Sequence, residues 1–512
     1  MARFPWRLFL LAPAPDFFSS EGVVAVNIDR WMMVAAVVWL MGISTTMAAE
    51  QPEPLEPINA AHAGQFSQRA TDAQIIGASN TAYGSFYEPT SGSDDCGCDA
   101  AATCDGTAGC GCERCCREHL IQDCCPLECC DCEPWRLFPC GVGPCGGLDI
   151  TGWVQAGGTV VDGNPPSNFN GPMTFNDRDE LQLNEFYLQI AKAADNGGCG
   201  LAWGGQIDLL YGTDHRFTMA RGLETTSTFG SKWNSGGSNT YGIAMPQAYI
   251  ELVYNDLSLK MGHYYTIIGY EVVPSLPNFF YSHAYTMQYG EPFTHTGVLA
   301  TYHWSDTIDV VGGVDRGWDN WEDDNAQESA LWGFLWDGGC GTTLALTGTF
   351  GKEFDATGTD NTQRMLTSIV AAREITSRWT YVVQSDIGHQ NSGPTTASAD
   401  WYGVNQYLFY KVNCNLTAGF RAEWFRDDDG TRVTGNGTNN PLAAAPSRFA
   451  GDFYELTLGL NWRPQGNPNL MVRPEVRYDT FDGASTAGLA LPYDDGTDSK
   501  MFSGAVDVIF QF

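Results

Sequence analysis

The stretch Leu470-Met471-Val472-Arg473-Pro474-Glu475-Val476-Arg477-Tyr478-Asp479 decides how the rest of the chain is read. Leu470, Val472, Pro474, Val476 and Tyr478 alternate with Met471, Arg473, Glu475, Arg477 and Asp479. Successive side chains of a strand point to opposite faces, so this period of two is a strand with one apolar face. Full charges in mid-strand on the other face require water there, either outside a sandwich or inside a barrel. The neighbouring stretches repeat the pattern. Leu416, Ala418, Phe420, Ala422 and Trp424 alternate with Thr417, Gly419, Arg421 and Glu423, and Tyr454, Leu456, Leu458, Leu460 and Trp462 with Glu455, Thr457, Gly459 and Asn461. The last segment sets Phe502, Val506, Val508, Phe510 and Phe512 against Ser503, Asp507 and Gln511.

The links between segments separate barrel from sandwich. From about Leu148 the strand segments run 148–161, 180–193, 199–211, 243–255, 256–264, 294–304, 306–316, 326–337, 342–353, 362–374, 376–388, 400–413, 415–426, 450–463, 468–480 and 499–512, an even set of about sixteen. Links after even-numbered segments are short, as at Asn255-Asp256, Ser305-Asp306, Ile375-Thr376, Asn413-Cys414 and Pro464 to Pro468; those after odd-numbered segments are mostly long, as at 212–242, 265–293, 427–449 and 481–498. Short turns on one rim, long loops on the other and strands of ~9–14 residues are the requirements of a transmembrane barrel. Closure pairs every edge, which lipid makes obligatory. Aromatics sort with the links: Trp304, Trp336, Trp379, Tyr410 and Trp462 lie beside short turns, and Tyr211, Trp401, Tyr402, Trp424, Tyr478 and Phe502 beside long loops. Two girdles at the headgroup level are expected of such rings. The fold expected is all-β, a transmembrane antiparallel barrel over 148–512.

Composition agrees. The chain has 512 residues, 27 Lys+Arg against 60 Asp+Glu, a net charge of −33, 17% charged residues and 58 glycines. Nucleic acid is excluded as a partner, since phosphate binding needs clustered Lys/Arg. No apolar run reaches the ~20 residues of a membrane-spanning helix. Arg30 followed by the uncharged Trp31–Ile43 and the small residues Ser44 to Ala49 reads as a signal peptide, with cleavage after Ala48 or Ala49 and Met32 or Met33 as alternative starts. Residues 1–49 are thus a leader and 50–95, rich in Pro, Ala, Gly, Ser and Gln, a low-complexity linker.

Fourteen of the 17 cysteines fall in a cysteine-rich segment, 96–147: Cys96, Cys98, Cys104, Cys110, Cys112, Cys115, Cys116, Cys124, Cys125, Cys129, Cys130, Cys132, Cys140 and Cys145. Behind an export signal the default is a disulfide framework. The alternative is a metal site at Cys112-x-x-Cys115 and Cys129-x-x-Cys132, where only His119 would add a nitrogen. Vicinal cysteines rarely bond each other, so bridges to other chains, and self-association through 96–145, are a further reading.

Ile150-Thr151-Gly152-Trp153, Asn184-Glu185-Phe186-Tyr187-Leu188, and the stretch Val273-Pro274-Ser275-Leu276-Pro277-Asn278-Phe279-Phe280-Tyr281-Ser282 with Pro292-Phe293-Thr294-His295-Thr296-Gly297 resemble the OmpL-like β-barrel porins of the bacterial outer membrane. The resemblance covers about 148–512. The cysteine-rich preface departs from the family pattern and is similar to planctomycete-type envelope proteins.

A sixteen-stranded barrel is wide enough for an aqueous channel. Its expected function is passive diffusion of small hydrophilic solutes or ions across outer-membrane lipid, with no cofactor, no metal and no enzymatic reaction. No Gly-x-Ser-x-Gly elbow or His-Glu-x-x-His occurs. Parity points Glu185, Asp208, Glu251, Lys260, Asp309, Asp386, Arg421, Glu423, Arg473, Glu475, Arg477 and Asp507 into the lumen. Arg421, Arg473 and Arg477 would face acidic groups elsewhere and set a transverse field across a narrow zone. Loop 265–293 differs from the other loops in its aromatics. Its Glu271, Phe279, Phe280, Tyr281, His283 and Glu291, with His295, are the constriction candidates, since so much apolar area is costly to leave in water. An oligomer contact or an external lid are the alternatives for this loop. The acidic tips Asp319 to Asn325, Asp427-Asp428-Asp429 and Asp494-Asp495 would hold Ca²⁺ or Mg²⁺, or simply be solvated. The rival functions are a cysteine-cross-linked envelope protein anchored by its barrel, and a substrate-specific channel.

Overall fold

The structure is a computed structural model. It describes residues 135–138, 142, 147–163, 165–166, 170–172, 180–224, 241–322, 327–339, 341–354, 361–393, 397–433, 448–465, 467–488 and 490–512. The leader, the linker and all fourteen clustered cysteines lie outside the described residues, as do Asp323 to Asn325 of one acidic tip.

Sixteen antiparallel strands close into one barrel in sequence order, β1 pairing with both β2 and β16. They are β1 Asp149–Val161, β2 Leu181–Lys192, β3 Leu201–Gly212, β4 Gly242–Tyr254, β5 Leu257–Tyr265, β6 Thr294–Ser305, β7 Ile308–Asp315 and β8 Ser329–Gly339. The second half comprises β9 Thr342–Phe354, β10 Asn361–Glu374, β11 Trp379–Gln390, β12 Ala399–Asn413, β13 Leu416–Asp427, β14 Arg448–Trp462, β15 Leu470–Ala487 and β16 Lys500–Gln511. A single helical turn, α1 His215–Thr218, follows β3. The rims are as the link lengths require, except that the β2–β3 link, 193–200, is longer than the other short turns.

Parity holds along each strand. On β16, Phe502, Val506, Val508 and Phe510 are exposed on the outer face, while Met501, Ser503, Asp507 and Ile509 are buried inside. Leu456, Leu458, Leu460 and Val476 extend the outer apolar surface. Such a belt is tolerable only against lipid. Pro474 sits on this outer face, and the β14–β15 ladder skips it, because it has no N–H to donate. β15 runs past the expected end at 480 to Ala487, still paired with β14.

The girdles form, with one correction. Trp304, Trp379 and Trp462 are exposed near the short-turn rim, with Trp379 4.5 Å from Tyr410 between ring centroids. Tyr211, Tyr478 and Phe502 are exposed toward the other rim. Trp401 is fully buried and points inward. It cannot share a face with its neighbour Tyr402, which meets Trp424 outside at 5.6 Å. At the short-turn rim, Asn469 receives the Trp135 N–H at 2.9 Å and donates to the Trp135 carbonyl at 2.7 Å, which fixes where the chain enters the barrel.

Candidate functional site

The β5–β6 connection, residues 266–293, folds inside the barrel. We term it the strap. It leaves the wall between β5 and β6, and its middle is bonded to β13 and β15, half the ring of sixteen strands away. It therefore crosses the lumen rather than lying along one side. Ile267 and Ile268 join one apolar cluster with Leu299, Val311, Leu331 and Leu335 of β6 to β8. Beyond them Phe279 and Phe280 pack with Phe409 of β12, at 4.8 and 6.4 Å between centroids. Burying these rings meets the cost that made an exposed loop untenable.

The opposite wall is ionic. Arg421 of β13 donates from Nε to Glu455 at 3.0 Å and from Nη1 to Glu271 of the strap at 2.7 Å. Arg473 pairs with Asp507 at 2.5 Å and Arg477 with Asp479 at 2.7 Å, both across or along the wall itself. Each arginine then turns Nη1 to strap carbonyls: Arg473 to Ser275 and Asn278 at 2.9 and 2.7 Å, Arg421 to Ser282 at 2.8 Å, Arg477 to His283 at 2.6 Å. The carboxylates accept the strap's N–H groups. Glu185 of β2 receives Ser275 at 3.0 Å, Glu475 receives Tyr281 at 2.8 Å and Ser282 at 3.2 Å, and Glu423 receives Tyr285 and Thr286 at 2.6 Å each. Hydrogen bonds to charged groups contribute about 1.5–3 kcal/mol each. The Tyr281 hydroxyl donates to Asn184 at 2.8 Å, and Trp401 Nε1 to the Gly290 carbonyl at 3.0 Å.

Within the strap, burial is the largest influence on the Glu271 carboxyl and would raise it, but the Arg421 guanidinium, His283 and the Ala284 N–H together outweigh it and hold Glu271 at about 2. Glu271 also accepts the Ala284 N–H at 2.8 Å and stands 3.6 Å from His283 Nδ1. Glu291 has the opposite setting. Burial and the adjacent Asp386 carboxyl of β11 push it well above the usual carboxylate range.

All twelve charged residues assigned to the lumen by parity are buried inside the barrel. Glu185, Arg421, Glu423, Arg473, Glu475 and Arg477 converge on the strap. Of the other six, Asp507 pairs with Arg473 and Asp386 receives the Ser368 hydroxyl at 2.6 Å, while four have partners on the near wall: Asp208 with the Tyr187 hydroxyl at 2.6 Å, Glu251 with Ser258 at 2.5 Å, Asp309 with His303 at 2.7 Å, and Lys260 over the Tyr249 ring at 4.4 Å. Two expectations are corrected. Arg421, Arg473 and Arg477 have 0, 1 and 1% of their surface accessible, so they do not look across an open zone at distant acids; each is bonded to carboxylates and to strap carbonyls. His295 belongs to β6 rather than to the loop, with Nε2 3.1 Å from Thr266 Oγ1 and Nδ1 3.4 Å from Asp315.

Sequence reading missed the glycines that admit the strap. A Cβ on Gly419 would stand 2.3 Å from the Phe279 ring, and one on Gly157 2.5 Å from the Tyr281 ring. Both sit at inward positions of charged or polar strand faces, which was the available signal. Glu455 and Asp479 were equally legible by parity, as inward carboxylates beside inward arginines. Of the acidic tips, Asp427 is turned inward and caps the backbone N–H groups of Thr431, Arg432 and Val433. Among the described residues no group of three or more His, Cys, Asp or Glu is arranged to hold a metal ion. Cys199 is exposed and free.

A closed sixteen-strand barrel with an apolar exterior, a charged lumen and an inward loop after β5 defines an outer-membrane barrel of the porin class. The chain belongs to the family described as putative beta-barrel porin-2, OmpL-like, whose model matches residues 147–512. Among solved structures, the chain is similar to the outer membrane channel DcaP of Acinetobacter baumannii, with 12% identity, TM-score 0.45, and 73% of this chain and 99% of that chain covered. It is also similar to the anion-selective porin from Comamonas acidovorans, with 9% identity, TM-score 0.46 and coverage of 71% and 99%. OmpT of Vibrio cholerae in its trimer form gives 13% identity, TM-score 0.44 and coverage of 71% and 99%. Comparison with curated proteins finds no match.

Proposed function

We propose that the chain is an outer-membrane diffusion channel for small hydrophilic solutes or ions, whose cross-section is set by the strap. One observation carries this reading: the barrel interior is lined by charged and amide side chains, and the strap crosses it, bonded to both walls. An anchor would need only an apolar filling. Membership in a porin family supports the same reading. Arg421, Arg473 and Arg477 are matched by Glu271, Glu455, Asp479 and Asp507, so these three add no free positive charge, and the acidic balance of the chain favours cations.

The test is single-channel recording of the refolded protein in a planar bilayer, with a KCl gradient. Discrete steps and a cation-selective reversal potential are expected. A folded barrel that never conducts, with or without its strap, would overturn the channel reading. Export by the leader and oxidation of the cysteine-rich segment belong to the same proposal. The Trp135–Asn469 contact supports them by placing the end of that segment at the short-turn rim. N-terminal sequencing of the mature protein and gels with and without reductant read them out; higher oligomers that collapse on reduction would show self-association through 96–145.

A further inference from the structure

The strap is held through its main chain as well as through side chains such as Tyr281 and Tyr285. Between residues 275 and 286, Glu185, Glu475 and Glu423 accept backbone N–H groups, while Arg473, Arg421 and Arg477 donate to backbone carbonyls. Each guanidinium is clamped from behind by a carboxylate of the wall, at Asp507, Glu455 and Asp479. The fork geometry is thereby set by the barrel and not by the strap. What this wall reads, N–H and C=O groups along a bent segment that turns at 275–278, is offered by any short peptide able to take up that bend. Neutral sugars offer no such repeat of fixed donors and acceptors.

We propose that this part of the lumen wall is a binding site for short peptides in a bent conformation, occupied in the structure by the chain's own 275–286, and that peptides enter the channel by displacing that segment. The proposal rests on the channel reading above. The strap competes with the advantage of a tethered ligand, so free peptide binds measurably once the strap is removed or loosened.

The experiment uses the full chain with 275–286 replaced by a short Gly-Ser linker, refolded and checked by heat-modifiable gel mobility. Triglycine and glucose, a neutral solute of similar mass, are titrated by calorimetry and by block of the bilayer current. Triglycine is expected to bind and block at concentrations about tenfold or more below glucose, and Glu475→Gln in the same chain to weaken it about tenfold, the loss of one charge-assisted bond. Equal behaviour of the two solutes in a conducting barrel overturns the peptide site and leaves the channel. Peptide binding without any current overturns the channel and leaves the site. If the shortened chain does not fold, the full-length Glu423→Gln variant serves instead. Triglycine should then accelerate chymotryptic cleavage at Phe279, Phe280 and Tyr281, glucose should not, and cleavage unchanged by triglycine overturns the proposal.

Discussion

Arg421 works on two sides at once, bonding Glu455 of the next strand and Glu271 of the strap. Removing one member of a buried ionic group leaves the others without partners, which costs about 3–5 kcal/mol. Arg421→Met should therefore lower the unfolding free energy read from urea titration of the refolded barrel by that much, and Glu271→Gln by somewhat less, since the amide still accepts. Their pH dependence separates Glu271 from Glu291. Glu271 is depressed to about 2 from an ordinary 4.5, so its contribution is fully present above about pH 4.5 and is lost as pH falls through about 2. Glu291 is raised, so the folded state binds its proton more tightly and loses stability as pH climbs above the ordinary value. Glu291→Gln should thus leave stability at pH 8 unchanged or raised, whereas Glu271→Gln lowers it; unfolding curves at pH 5 and 8 decide. Gly419→Val, which meets Phe279, should dislodge the strap and increase its cleavage by chymotrypsin while the barrel still resists.

At the level of strands, alternation assigns faces because one residue of slip would exchange lipid and lumen for a whole strand. Val476 lies on the lipid face between the inward Glu475 and Arg477. Val476→Arg should destabilise the barrel by about 2–4 kcal/mol if it lies at mid-bilayer, whereas Thr480→Arg near the rim should cost little. The girdles give an optical check. Brominated lipid should quench a share of the fluorescence that Trp304→Phe removes, while Trp401→Phe leaves the quenched share unchanged, because Trp401 is sealed inside against Gly290. Equal effects would contradict the inward assignment of Trp401. Alternation alone would have placed it, since Tyr402 already occupies the outer face; proximity to a loop was the weaker guide.

For the whole molecule, the proposed function makes the strap the element that limits what the barrel passes. Because the arginines beneath it are inaccessible to water, replacing 275–286 should raise single-channel conductance severalfold, measured in the same bilayer and salt. An unchanged conductance would mean that solutes travel beside the strap. The barrel, its sixteen strands and their inward charges were determined by the sequence alone, because alternation and link length are local properties that lipid leaves no freedom to contradict. The aromatic content of 266–293 was enough to say that this segment could not stay in water. It folds into the barrel, as the constriction reading requires, but which wall groups receive it was not legible. Arg421, Arg473 and Arg477 share a parity with Glu423 and Glu475, but parity says only that they point inward, not whether water, a distant acid or a backbone carbonyl meets them. Ring closure decides that, by setting the β5–β6 gap opposite β13 to β15 and bringing Ser275 and Tyr281 to charges about two hundred residues away. Contacts of that sequence separation leave no periodic trace in the chain, and only the tertiary structure could assign them.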